Sequence, residues 1–284
     1  MLDGKAVAAA IRKELAQRVA RLKALGVTPK LGVLLAGSFV PSQIYVRNKE
    51  RACAAVGIEV ETARFPDSVS IGEITDTVRR WNEDANVHGM IVQLPLPGRI
   101  ERDAILELVD PRKDADGLTP ANLGRLVSGH PRVLPATPAG IIELLVRFQI
   151  PIAGQRVVVI GRSELVGKPL ANILLMRGAK GDATVTVCHT KTKDLPDICR
   201  QAQILIVAAG RAGLVTGEMV TPGVVVVDAG INRTEQGIVG DVDFDSVAQK
   251  ARAITPVPGG VGPMTVAMLL VNTVMLAESR AAVQ

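Results

Sequence analysis

Val157-Val158-Val159-Ile160-Gly161-Arg162-Ser163-Glu164-Leu165-Val166-Gly167 reads as an apolar strand, a tight turn and the opening of a helix. That is the setting of a dinucleotide phosphate loop, in which backbone N–H groups at a helix N-terminus meet a pyrophosphate. The fingerprint is imperfect, because Ser163 stands where a second glycine is usual, and by itself an ordinary strand–helix turn is an open alternative. The surroundings favour the nucleotide reading. Further strands are predicted at 183–188, 204–208 and 224–228, with helices between them, which is the pattern of a doubly wound parallel sheet.

The end of the second strand of this series narrows the cofactor. An NAD site usually places an acid there to accept from the ribose hydroxyls. Here the chain reads Val187-Cys188-His189-Thr190-Lys191-Thr192, with hydroxyls and a cation but no acid, and Arg162 adds a guanidinium beside the first glycine. A 2′-phosphate suits these groups, so NADP is expected in preference to NAD.

Upstream, a first α/β series is predicted. Apolar residues recur at helical spacing over 6–25, and 31–36 is a buried strand. A helix follows over 42–56, then a strand at 59–63. Ser70-Ile71-Gly72-Glu73 is a capping box that opens a helix to about residue 84. A strand at 89–94 is stopped by Pro95 and Pro97. Thr137-Pro138 supplies a cap and first-turn proline for the helix that begins the second series. The expected architecture is α/β, with two α/β domains around a cleft, the second a Rossmann-like parallel-sheet dinucleotide-binding domain. The first covers 1–136, with 259–284 packing back on it, and the second covers 137–258.

Composition limits the alternatives. The chain has 284 residues with 48% apolar side chains but only 2% aromatic ones, so its core is built from aliphatic residues. Cys53, Cys188 and Cys199 are odd in number and lack CxxC spacing, which argues for reduced thiols and against a zinc site. The N-terminus shows no secretory pattern, so a cytoplasmic location is expected. The net charge of +5 is dispersed, with no basic block of the kind that tracks a nucleic acid. Residues 254–277 carry no charge, but the Pro- and Gly-rich part from Thr255 to Pro263 is not expected to be helical. The remaining 264–277 is too short to span a bilayer, so no membrane association is expected.

Tyr45 and Lys49 lie four apart on a predicted helix and share a face. A tyrosine packed against a lysine stem is the bland account of them. Gln93 closes the 89–94 strand, and strand C-termini in parallel sheets are where ligands bind. Asp114 and Asp116 follow in a charged loop, expected to face solvent unless they serve a site.

With these residues the chain resembles, from end to end, the bifunctional methylenetetrahydrofolate dehydrogenase/methenyltetrahydrofolate cyclohydrolase family. The matching segments are Ser42 to Lys49, Gly89 to Pro97, Lys113 to Gly117, Gly161-Arg162-Ser163 with Val166-Gly167, and Thr255 to Thr265. Arg211-Ala212-Gly213 departs from the Gly-x-Pro loop common there, and Leu118 replaces a usual Phe. The resemblance implies a catalytic lysine at Lys49, its glutamine partner at Gln93, a ring-stacking tyrosine at Tyr45 and a pterin-binding aspartate at Asp116. It places Leu94, Pro258, Gly259 and Gly260 by the folate, and Gly161, Arg162, Ser163, Thr190 and Ile231 at the cofactor. A homodimer is also implied.

The chemistry expected from the resemblance has two halves. Oxidation needs little acid–base help, because two flanking nitrogens stabilise the cation left as hydride departs. Hydrolysis needs a group that takes a proton from water and gives one to a ring nitrogen, a task a lysine can perform. A monofunctional dehydrogenase and a non-catalytic folate- or nucleotide-sensing module are the alternatives.

Overall fold

A computed structural model describes residues 1–98, 100–235 and 237–282 of the chain. The chain forms two compact units. One holds Ala10–Ala136 and the chain from Val266 onward; the other holds Met1–Ala9 and Thr137–Thr265. We call them the first and second unit. The first nine residues thus group with the second unit, where Leu2 N donates to Ile254 O at 2.8 Å and Lys5 N to Gly259 O at 3.0 Å.

The first unit opens with most of α1 (Gly4–Ala24), followed by β1 (Lys30–Ala36), α2 (Val40–Val56), β2 (Glu59–Phe65), α3 (Ile71–Glu83) and β3 (Gly89–Gln93). Short helices α4 (Arg102–Leu106) and α5 (Pro120–Val127) complete the series before α6 (Ala136–Arg147). The strands form a parallel sheet in the order β2-β1-β3, with Leu35 of β1 opposite Gln93. β1 is buried along nearly its whole length, as its uninterrupted Leu31-Gly32-Val33-Leu34-Leu35-Ala36 run requires of a central parallel strand.

Helix α3 shows how local signals and packing agree. Ser70 and Glu73 cap it reciprocally, as the sequence predicts, and Ile74, Val78 and Trp81 bury one face at helical spacing. Trp81 is fully buried against the sheet yet keeps its polar handle satisfied: Nε1 donates to Glu61 Oε1 at 2.8 Å. Glu61 also accepts from Lys30 Nζ at 2.7 Å and Arg80 Nη1 at 2.8 Å. The hydrogen bond from Lys30, then that from Trp81, holds its carboxyl down at about 2.

The loop after α4 departs from its charged composition. Lys113 and Asp114 are buried rather than solvent-facing. Lys113 Nζ donates to Trp81 O and to Asp84 O, each at 2.6 Å, and so ties the loop to the end of α3. Met90 N donates to Lys113 O at 2.6 Å and Ala115 N to Met90 O at 3.1 Å, which extends the sheet by one bridge beside β3.

In the second unit, α6 starts at Ala136, so Thr137 lies within its first turn instead of capping it; its hydroxyl meets that of Thr265 at 3.0 Å. Then come β4 (Arg156–Ile160), α7 (Gly167–Leu175), β5 (Thr184–Cys188), α8 (Leu195–Arg200), β6 (Ile204–Val207) and β7 (Val225–Asp228). A small antiparallel hairpin of β8 (Asn232–Thr234) and β9 (Gly237–Val239) follows, then α9 (Phe244–Ala248) and β10 (Ala253–Ile254). The main sheet is wholly parallel, in the order β10-β7-β6-β4-β5. Val158, Ile160, Leu205, Val207 and Val226 fill the core beneath it. The chain leaves β4 for β5 on one side and returns to β6 on the other. That reversal makes the crevice at the carboxyl ends of β4 and β6 the expected ligand position.

The last helix, α10 (Val261–Ala281), is longer than the sequence predicts. Val261, Gly262 and Pro263 belong to it, since a proline in the first turn lacks only an N–H that would have no helical partner. Its 21 residues are long and apolar enough to cross a bilayer. Its buried polar groups are matched to protein partners instead: Asn272 Nδ2 donates to Ala115 O at 2.8 Å and Leu134 O at 2.9 Å.

Candidate active site

The first unit carries one half of the candidate residues. α2 follows the carboxyl end of β1, and its first turn is set by Pro41. Residues 42, 45, 46 and 49 then share a face. Val46 is buried, whereas Tyr45 is 37% exposed on the helix surface. Lys49 is half-buried, and its Nζ donates to Gln93 Oε1 at 3.1 Å. The helix face and the strand end, 44 residues apart in sequence, thus meet at these two side chains.

A carbonyl fixes the sense of the Gln93 amide. Gln93 Nε2 donates to Leu94 O at 2.9 Å, and Ser42 Oγ donates to the same oxygen at 3.1 Å. With Nε2 committed to an acceptor, Oε1 is the atom left for the Lys49 ammonium. Gln93 therefore aims Nζ without adding a charge. Leu94, half-buried, contributes through this carbonyl.

Asp116 follows the Lys113–Ala115 bridge and is half-buried. Its neighbour Asp114 does the shaping: it accepts from Gly117 N at 2.8 Å, Thr119 N at 2.8 Å and Asn122 Nδ2 at 2.9 Å. Asp116 has no such set among the described residues. Burial pushes its carboxyl up, Asp114 adds to the effect, and the Lys49 ammonium opposes it. A ligand edge that offers N–H donors would restore what burial removes.

The second unit carries the other half at the carboxyl ends of its parallel strands. Gly161 follows β4 directly with φ +123°, and a Cβ there would lie 2.2 Å from Ala208 O. At Gly167, the first residue of α7, a Cβ would fall 2.0 Å from Gly161 O. Only glycines allow the turn to close this tightly on the next strand. Ser163 accounts for the missing second glycine: its Oγ accepts from Val166 N at 3.2 Å and its carbonyl from Lys168 N at 3.0 Å, which closes the turn. Arg162 is exposed on this loop. Thr190 is exposed at the turn after β5, and Ile231 is 47% exposed after β7. These groups suit a dinucleotide: a backbone cradle for the pyrophosphate, and a guanidinium and a hydroxyl for a phosphorylated ribose. The Pro258-Gly259-Gly260 segment precedes α10, with Gly259 at φ +116° and its carbonyl held by Lys5 N.

Two acids in this unit escape sequence reasoning. Asp228 accepts from Gly230 N at 2.8 Å, Asp241 N at 3.0 Å and Val242 N at 2.9 Å. Asp241, fully buried, accepts from Ala209 N at 2.6 Å, Gly210 N at 2.8 Å and Asn232 Nδ2 at 2.8 Å. Between them they fix the loops after β6 and β7. Burial pushes the Asp228 carboxyl up, against the pull of its three backbone donors. The only signal in the sequence is an aspartate at the end of a valine strand, with Gly230 and Gly240 nearby.

Comparison with known proteins gives a consistent result across the chain. Residues 2–116 match the family model "Tetrahydrofolate dehydrogenase/cyclohydrolase, catalytic domain", and residues 135–281 match "Tetrahydrofolate dehydrogenase/cyclohydrolase, NAD(P)-binding domain". The bifunctional protein FolD of Oleidesulfovibrio alaskensis is 51% identical over 284 residues, covering 100% of this chain and 99% of that protein. The bifunctional FolD structure from Campylobacter jejuni superposes with a TM-score of 0.95 at 48% identity, over 98% of both chains. The FolD of Trypanosoma brucei, solved with NADP cofactor and an inhibitor, gives a TM-score of 0.92 at 42% identity, over 98% of this chain and 96% of that one.

Proposed function

Because this chain belongs to the tetrahydrofolate dehydrogenase/cyclohydrolase family, we propose that it oxidises 5,10-methylenetetrahydrofolate with NADP and hydrolyses the methenyl product to 10-formyltetrahydrofolate. The observation that carries the two-step reading is the Lys49–Gln93 hydrogen bond of 3.1 Å. It supplies a held amine at a strand end, which the hydrolytic step needs and the oxidation does not.

Bound NADP supplies the hydride acceptor. The protein's part in oxidation is to hold the methylene carbon in place, with the exposed Tyr45 ring offering a stacking face and Asp116 accepting N–H groups of the aminopyrimidine edge. In hydrolysis, water attacks the methenyl carbon and must lose a proton. Lys49 Nζ, acting as the neutral amine, takes that proton and delivers it to the ring nitrogen that leaves, while Gln93 and Leu94 O keep the amine aimed. The adduct hydroxyl gives its proton to solvent as the formyl carbonyl forms. Gly161, Arg162, Ser163, Thr190 and Ile231 form the NADP side, and Leu94, Pro258, Gly259 and Gly260 the remaining folate contacts. The dinucleotide domain is centred on residues 137–258 and the catalytic one on the chain up to 136 with the C-terminal helix, although Met1–Ala9 and the residues up to Thr265 pack in the second unit.

A homodimer in the cytoplasm completes the proposal. Three buried free thiols, Cys53, Cys188 and Cys199, fit a reducing compartment. A monomer in sedimentation velocity would remove the dimer. The whole reading is tested by one assay with methylenetetrahydrofolate and either dinucleotide, following reduced cofactor and methenyl decay separately. Both signals are expected with NADP. Methenyl accumulation without decay would leave a monofunctional dehydrogenase, and no turnover with either dinucleotide a binding module.

A further inference from the structure

A cavity of about 450 Å³ lies in the first unit, lined in part by His88, Asp110, Arg112, Lys113, Arg132 and Arg280. None of the residues assigned to folate or NADP lines it. His88 precedes β3, whereas Gln93 ends it. At about 3.3 Å per strand residue, the cavity and the Lys49–Gln93 pair are separated by roughly 16 Å along the sheet.

The charges in this cavity are out of balance. Arg112 is cancelled by Asp110, which it grips with Nε at 3.1 Å and Nη2 at 2.7 Å. Lys113 is buried, with its ammonium on two backbone carbonyls and no carboxylate bonded to it. Burial lowers its basicity, and Arg280 lowers it further; Asp84 and Asp110 act in the opposite sense. His88 is lowered in the same way, first by burial and then by Arg280 and Lys113. Arg132 and Arg280 form no ion pair among the described residues. Cations that crowd one another in a concave, partly buried site destabilise the fold unless something offsets them.

We propose that this cavity binds a multivalent phosphate anion. Arginine forks and a lysine ammonium are the donors that recognise phosphate oxygens. Among the described residues no Phe, Tyr or Trp lines the cavity, and the cationic donors outnumber every other kind of polar group, so the phosphate groups are the part recognised. Occupancy reaches the Asp116 loop through the backbone, because the Lys113 carbonyl and Ala115 amide bond to Met90 on either side of Asp114. The anion would therefore stabilise the unit that carries Lys49 as well as bind to it.

Calorimetric titration with inorganic pyrophosphate tests this, in the presence of saturating NADP so that the dinucleotide loop is occupied. One site per chain is expected, with Kd below about 1 mM. The double variant Arg132→Gln, Arg280→Gln should weaken binding about tenfold or more, leave kcat for methylenetetrahydrofolate unchanged and abolish the rise in Tm that pyrophosphate gives the wild type. Arg162→Ala should bind pyrophosphate as the wild type does. Inorganic triphosphate and ATP should bind equally well. No heat with NADP present, or undiminished binding in the double variant, would overturn the proposal; much tighter binding of ATP would overturn recognition through phosphate alone.

Discussion

The Lys49–Gln93 pair and the Gly161–Gly167 loop both occupy carboxyl ends of parallel strands, but they are held by opposite means. The first is wired through side chains: Ser42 and Gln93 share the Leu94 carbonyl, and Gln93 in turn receives Lys49. The second is chiefly a shape made by backbone: Gly161 lets the chain close against Ala208 and Gly167 lets it close against Gly161, with the Ser163 hydroxyl inside the turn and Arg162 left in solvent. Proton transfer needs one atom in one place, so each donor has a fixed partner. Pyrophosphate recognition needs a concave array of N–H groups, and side chains are kept out of it.

That contrast fails most visibly if the amine is dispensable. Lys49→Met should lower methenyl hydrolysis by about 10³-fold while dehydrogenase activity survives. Methenyl decay measured apart from NADPH formation decides it, and unchanged decay would remove Lys49 from the chemistry. Gly161→Ala attacks the other side. The added Cβ meets the Ala208 carbonyl at a φ that alanine rarely adopts, so a stability loss of about 3 kcal/mol is expected. Urea unfolding and NADP titration should both register it, and a variant with wild-type Tm and NADP affinity would show that the loop has slack. Arg162→Ala leaves the cradle intact and should raise KM for NADP by about tenfold or more, with little change for NAD. Equal changes for both would mean that Arg162 does not read the 2′-phosphate.

The smallest effect is confined to acid. The folded-state value of Glu61, about 2, lies below the ordinary 4.5, so its contribution is complete above pH 4.5 and is lost as pH falls toward 2. Urea unfolding from pH 6 down to pH 3 should show that loss in the wild type and a flatter profile in Glu61→Gln. Identical slopes would mean that the Lys30–Glu61–Trp81 network adds nothing to the first unit's stability.

The period of the sequence carries the long elements well. Helices α1, α2 and α3 and strands β1, β3, β4 and β6 lie within a few residues of where apolar spacing and capping place them. The short ones are invisible to it: β8, β9, β10 and α9 have too few residues to display a repeat, and where a helix is expected between β6 and β7 only one short turn of helix forms, at Gly217–Met219. Lys113 and Asp114 mislead for another reason. A run of charges says nothing of whether a nearby helix end, here the Trp81 and Asp84 carbonyls, will draw one inward. At the site, the residue types and their place on helix or strand end are legible, and so is the lack of an acid after β5. The meeting of Lys49 with Gln93 is not, because it depends on the register of β1 against β3. The same holds for Asp228 and Asp241, whose partners lie on loops that only the folded sheet brings together.

Asn272 has a consequence for the order in which the protein can be completed. Its amide grips the Ala115 and Leu134 carbonyls, yet it belongs to α10, which is translated after every other described element. While the ribosome still holds the C-terminal segment, the loop that carries Asp116 lacks this clamp, however long ago its own residues emerged. The nascent chain crosses from the second unit to the first, back to the second and finally to the first again. Neither unit can therefore be released whole by cutting the polypeptide at a single bond, and the Asp116 loop gains its clamp only after α10 has been made.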